Sequence, residues 1–164
     1  MKIGRRTVLG SGGALAVGGL GLLWIGRSGN AAPRGTYEIA FSDAEWRKRL
    51  GPERYRVLRQ GETERSRSSP LNHEKRVGTF LCAGCGLPLY ASRDKFESGT
   101  GWPSFTRPLP RAVGTRPDDS LFMKRTEVHC RRCGSHLGHV FDDGPKPTRK
   151  RYCMNGAALT FRPS

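Results

Sequence analysis

The stretch "RTEVHCRRCGSHLGHVFDDGP", residues 125–145, carries the pattern that decides the architecture: a strand-length run, a Cys-x-x-Cys-Gly turn, then a second strand-length run. The same punctuation extends outward from it. "GTFLC" (78–82), "LPLYAS" (87–92), "SLFMKRTEVHC" (120–130), "GHVF" (138–141), "RYCMN" (151–155) and "ALTF" (158–161) are short apolar or aromatic runs broken by Gly, Pro and Asp. None sustains a helical period, so residues from Val77 onward read as a mainly β domain. Upstream, Ser42-Asp43-Ala44-Glu45 forms a capping box that opens a short helix over about 43–50, with Trp46 and Leu50 four apart on one face. Gly51-Pro52 stops this helix, and Pro52 opens a second through about Arg59. Residues 61–75 are charged, have little apolar pattern and read as a surface loop.

Four of the five cysteines fall into two matched turns, Cys82-Ala83-Gly84-Cys85-Gly86 and Cys130-Arg131-Arg132-Cys133-Gly134. The two-residue gap lets both sulfurs of a pair point at one ion, and the glycine turns the chain with positive φ. Four thiolates in two such turns predict a closed, tetrahedral, structural zinc site with no position left for water. Two structural disulfides are the alternative, because an exported protein meets an oxidising compartment.

Export is the expectation for residues 1–32. Lys2, Arg5 and Arg6 precede an uncharged run from Val8 to Gly26, and small residues surround Asn30, Ala31 and Ala32. The adjacent arginines, followed by Thr7-Val8-Leu9, suit a twin-arginine signal, although Gly4 and Gly10 depart from its commonest form. A cut after Ala31 or Ala32 would leave residues 33–41 as a linker and 42–164 as the domain, placed in the periplasm. An uncleaved anchor over residues 8–26 is the alternative. Transport in the folded state would allow zinc to be loaded first, shielding the thiolates. The net charge is +15, and residues 1–31 hold only four positive side chains, so the domain is itself basic. Its Lys and Arg are scattered rather than striped with aromatics, which reads as a solvated surface and not as a nucleic-acid interface.

The fifth cysteine, Cys153, has no partner by spacing. If 151–155 is a strand, Arg151, Cys153 and Asn155 share one face while Tyr152 and Met154 pack inward. A thiol beside a cation favours the thiolate and hence nucleophilic chemistry, though a single cysteine in a β domain is more often a small buried apolar residue. "HLGHVFDDGP" adds His136 and His139, which a regular strand would point to opposite faces unless Gly138 permits a bulge. "SGTGWPSF" sets Trp102 among turns, a position that suits the wall of a pocket and equally an ordinary core tryptophan.

Taken in order, "TERSRSSPLNHEKRVGTFLCAGCGLPLY", "KFESGTGWPSF", "RTEVHCRRCGSHLGHVFDDGP" and "RYCMNGAALTF" resemble the methionine-(R)-sulfoxide reductases of the B type, over about residues 42–163. The resemblance implies two small antiparallel sheets with short N-terminal helices. It also implies reduction of the R epimer of methionine sulfoxide in peptides and proteins; a monomer is the separate expectation. It assigns Cys153 as the nucleophile, puts His136, His139 and Asn155 in the pocket and places Trp102 against the substrate methyl. Arg151 and Asp143 match supporting positions of the substrate site, and Cys82, Cys85, Cys130 and Cys133 match a zinc site. Thr100 stands where many relatives hold a resolving cysteine, so the sulfenic acid on Cys153 is expected to be recycled by an external thiol or a thioredoxin-like protein. A zinc-ribbon module binding nucleic acid is the competing function, and it would need neither Cys153 nor the paired histidines.

Overall fold

The computed structural model describes residues 37–120 and 123–164. The expected leader and residues 33–36 of the expected linker lie outside that range. Residues 37–41 lie against the domain: Ile39 N–H donates to the Arg132 carbonyl, Tyr37 meets His129 edge-on and Phe41 meets Trp46 edge-on.

Helix α1 spans Asp43–Gln60 and begins with the anticipated capping box, in which the Ser42 hydroxyl accepts from Glu45 N–H and the Glu45 carboxylate accepts from Ser42 N–H. The two expected helices are joined end to end across Gly51, whose φ of 69° and ψ of 172° break the helical ladder. Pro52 then restarts it, because its missing N–H costs nothing in a first turn. Gly61 ends α1 in the left-handed conformation, its N–H returning to the Arg56 carbonyl. Trp46, Tyr55, Val57 and Leu58 form the buried stripe.

Nine strands follow among the described residues: β1 (Gly78–Cys82), β2 (Pro88–Ala91), β3 (Lys95–Phe96), β4 (Ser104–Phe105), β5 (Val113–Asp118), β6 (Arg125–Cys130), β7 (His136–Phe141), β8 (Arg151–Met154) and β9 (Leu159–Pro163). They make two antiparallel sheets, ordered β2-β1-β9 and β3-β4-β8-β7-β6-β5. An aromatic cluster locks the sheets together. Tyr90 of β2 stacks on Phe105 of β4 with centroids 4.3 Å apart, and Phe80 of β1 meets Phe105 edge-on at 4.9 Å. All three rings are fully buried, each contributing about 1.5–3 kcal/mol of hydrophobic stabilisation. The Tyr90 hydroxyl donates to Met154 Sδ at 3.1 Å, tying the small sheet to the strand that carries Cys153.

Candidate functional site

The four paired cysteines converge where β1 and β6 end. Cys82 and Cys133 have their sulfurs 3.8 Å apart, Cys85 and Cys130 3.6 Å apart, and all four sulfurs lie within 4.8 Å of one another. A tetrahedral ion with metal–sulfur bonds of about 2.3 Å requires sulfurs about 3.8 Å apart, so the set fits one metal. A disulfide requires about 2.05 Å, and all five cysteines are free. Gly86 and Gly134 have positive φ, and their N–H groups close the turns on the Cys82 and Cys130 carbonyls. From α1, Arg59 donates to the Cys133 carbonyl, so the helix braces the second turn.

The second constellation lies on one face of the large sheet, and strand register builds it. Directly opposed residues in an antiparallel ladder share a face. Arg116 of β5 opposes Glu127 of β6, Glu127 opposes His139 of β7, His139 opposes Cys153 of β8, and Cys153 opposes Ser104 of β4. One row of side chains therefore crosses five strands. His136 joins it through a bulge: the β6–β7 register shifts between Val128 and His129, so that Leu137 is the extra residue. The slip reverses side-chain parity, and the two imidazoles end with centroids 5.4 Å apart on the same side. Gly138, at φ 155°, is required for this packing, since a Cβ there would overlap the Cys153 carbonyl oxygen.

Each imidazole is anchored by a carboxylate. His136 Nδ1 lies 2.9 Å from Glu127 Oε1, and Glu127 also takes a fork of hydrogen bonds from Arg116. His139 Nε2 lies 2.7 Å from Asp118 Oδ2, which also accepts from Arg125 at 2.8 Å. Burial pushes the Glu127 carboxyl up, but hydrogen bonds from His136 and Arg116 outweigh it and hold the group at about 2. Asp118 is likewise held well below the usual range, its burial overcome by bonds from Ser120 and His139. Burial lowers the pKa of His139, against the opposing pull of Asp118. His136 Nε2 is buried and has no hydrogen-bond partner among the described residues.

Cys153 is partly exposed. Its sulfur lies 3.8 Å from the Thr100 hydroxyl, which leads through Ser98 to the fully buried Ser104 by two contacts of 2.8 Å. Arg151, two residues back on the same face, is held in a fork by both Asp143 oxygens at 2.8 Å and stacks 4.4 Å above the Phe141 ring. Its guanidinium is near enough to interact with the Cys153 sulfur, and Asp143 is pulled below the usual carboxylate range by it. Trp102 donates its indole N–H to the Glu64 carbonyl at 3.1 Å. Asn155 is buried, accepting from Glu64 N–H at 3.0 Å and donating to the Leu137 carbonyl at 3.2 Å.

Residues 50–163 match the family model described as the SelR domain. The chain is 50% identical over 127 residues to the peptide methionine sulfoxide reductase MsrB of Leptospira interrogans, covering 77% of this chain and 97% of that protein. It is 55% identical over 122 residues to the protein of that name from Methanosarcina barkeri, covering 74% of this chain and 86% of that protein. Against peptide methionine sulfoxide reductase B1 of Arabidopsis thaliana, a chloroplastic protein, identity is 51% over 121 residues, 73% of this chain and 60% of that one. The chain belongs to the peptide methionine sulfoxide reductase B family.

As a member of that family it is an oxidoreductase acting on methionine sulfoxide. In this reductase the structure brings Cys153, His136, His139 and Arg151 onto one face and sets Trp102 and Asn155 on the loop side, with Asp143 behind Arg151. Sequence reading missed Glu127 and Asp118, the anchors of the two imidazoles. Glu127 left a weak trace as a carboxylate inside a strand-length run, whereas Asp118 was indistinguishable from turn punctuation. It also took 61–75 for plain surface. That loop holds a 3-10 turn at Pro70–His73, and its Glu64, Ser66, Arg67 and Asn72 all bond to residues 100–102 or 155–157.

Proposed function

We propose that this reductase acts on the R epimer of methionine sulfoxide in oxidised peptides and proteins, through a sulfenic acid on Cys153. The observation that carries the reading is the row linking Glu127, His139 and Cys153, with His136 brought alongside. A sulfoxide oxygen leaves only if it is protonated, so thiolate attack must be matched by an acid within reach. A carboxylate on one imidazole nitrogen fixes the ring and leaves the other nitrogen to serve a reactant. His136 suits this role through its unpartnered Nε2, and Arg151 supplies positive charge beside the thiolate. Trp102 provides an apolar wall for the methyl group. The sulfoxide oxygen passes to Cys153, whose sulfur is oxidised to the sulfenic acid while the substrate sulfur is reduced by two electrons to the thioether.

Recycling follows from the residue at position 100. Thr100 supplies a hydroxyl, and the other four cysteines belong to the metal cluster. An external thiol attacks the sulfenic acid, releasing water and leaving a mixed disulfide; a second thiol frees Cys153. A thioredoxin-like protein or a small thiol fits this role. In the cluster, four soft thiolates in tetrahedral array suit zinc, which would be structural. No helix of the described residues is long and apolar enough to cross a membrane, and export to the periplasm rests on residues 1–32 alone.

Dithiothreitol-driven turnover of separated epimers of a methionine sulfoxide peptide tests the reading. The R epimer should be consumed and the S epimer left. Mass spectrometry after one equivalent of substrate should find one added oxygen on Cys153; an intramolecular disulfide to Cys153 overturns direct recycling, and equal turnover of both epimers overturns the assignment.

A further inference from the structure

All four hydrogen-bonding groups of Glu64 are spent on other parts of the proposed pocket. Its N–H donates to Asn155 Oδ1 at 3.0 Å, and its carbonyl accepts from Trp102 Nε1 at 3.1 Å. The two carboxylate oxygens accept from Gly156 N–H at 2.6 Å and Ala157 N–H at 2.8 Å, in the 3-10 turn two residues beyond β8. The contacts reach 91 to 93 residues along the chain and add a second tie to the β4–β8 ladder, in which Ser104 opposes Cys153. Gly156 is required where it meets the clamp, since a Cβ there would overlap Ser69 Oγ and Ser69 Cβ and crowd Glu64 Oε1 at 3.2 Å. The same loop fastens the turn before Trp102 from below. Ser66 Oγ donates to the Thr100 carbonyl at 2.9 Å, and Arg67 N–H and Asn72 Nδ2 donate to the Gly101 carbonyl at 2.7 and 2.9 Å.

We infer that Glu64 is a positioning residue of the reductase, holding the indole of Trp102 in place relative to Asn155 and the turn that follows the Cys153 strand. The inference rests on the pocket proposed above. Its physical content is that the indole and the turn after β8 are held to one residue, the first by its carbonyl and the second by its carboxylate. A sulfoxide must touch the indole with its methyl and the thiol with its sulfur at the same time, so a shift of the order of 1 Å between the walls weakens binding and attack together. Glu64 also borders an open cleft of about 670 Å³ together with Gly156, Ala157, Arg54 and Phe161.

The test compares full-length wild type, Glu64→Ala, Glu64→Gln and Cys153→Ser. Glu64→Ala loses both carboxylate bonds, and kcat/KM for the R-sulfoxide peptide should fall about tenfold or more, through KM and kcat together. Alkylation of Cys153 by iodoacetamide should stay within about twofold of wild type, because the strand bearing the thiol is untouched. Glu64→Gln keeps one acceptor and should lie between the two, and it is read alone if Glu64→Ala does not fold. A folded variant with kcat/KM within about twofold of wild type overturns the inference. So does an equal loss in alkylation and turnover, which marks general loosening. Cys153→Ser keeps the accounts separate: turnover in that variant overturns the thiol mechanism, whatever Glu64 does.

Discussion

Four of the five cysteines lie within 4.8 Å of one another at the strand ends, whereas the fifth shares its face with two imidazoles, a guanidinium and a threonine hydroxyl. The sulfur atoms are chemically identical, so the difference between the regions is made by their neighbours. In the cluster each thiolate can be neutralised only by a cation shared with the other three, and one ion then joins β1 to β6. At Cys153 the neighbours are instead two imidazoles, a guanidinium and a hydroxyl, and the sulfur is partly exposed. A sulfur becomes structural where its surroundings close on a metal and reactive where they leave it a donor and an approach.

Stripping the metal should break the comparison most severely. Structural thiolate sites bind zinc with about 10–16 kcal/mol, comparable with the whole stability of a domain. A strong chelator should therefore abolish the cooperative thermal transition and all turnover together, as read by circular dichroism and the peptide assay. Retention of a normal transition in metal-free protein would show that the cluster is not a structural centre.

Cys153→Ser should separate the regions cleanly. Turnover should fall by about a thousandfold or more while metal content and melting temperature stay near those of wild type. Loss of the metal in this variant would mean that the two regions are not independent.

Glu127→Gln should have the smallest effect, confined to the pocket. It weakens the hold on His136, so kcat should drop by about tenfold at neutral pH with one equivalent of metal still bound. The folded-state pKa of Glu127 lies below its unfolded value. The carboxylate therefore stabilises the fold above pH 4.5 and loses that contribution as pH falls toward about 2. The variant should show a flatter decline of stability with acid over that window in denaturant titrations. A decline as steep as that of wild type would refute the role given to the Glu127 pair.

Much of this was written into short local patterns. The Ser42 capping box, the Gly51-Pro52 break and the alternation around Cys153 are decided by residues within a few positions of each other, and backbone geometry translates them directly. The pairing of His136 with His139 was only half legible. Gly138 signalled a departure from regular strand, but the slip that unites the rings depends on where β6 runs opposite β7. Glu127 left only a weak trace and Asp118 and Glu64 none, because the partners that give them meaning are supplied by other strands or by loops far along the chain.

By itself the sequence determined a β domain, a four-thiol cluster and one spare cysteine, since cysteine spacing and side-chain alternation are properties of the local chain. Which carboxylate steadies which imidazole, and how an apparently plain loop ties Trp102 to the turn after the Cys153 strand, emerge from the packed fold. Those choices belong to strand register and long-range hydrogen bonding, where a shift of one residue changes every neighbour.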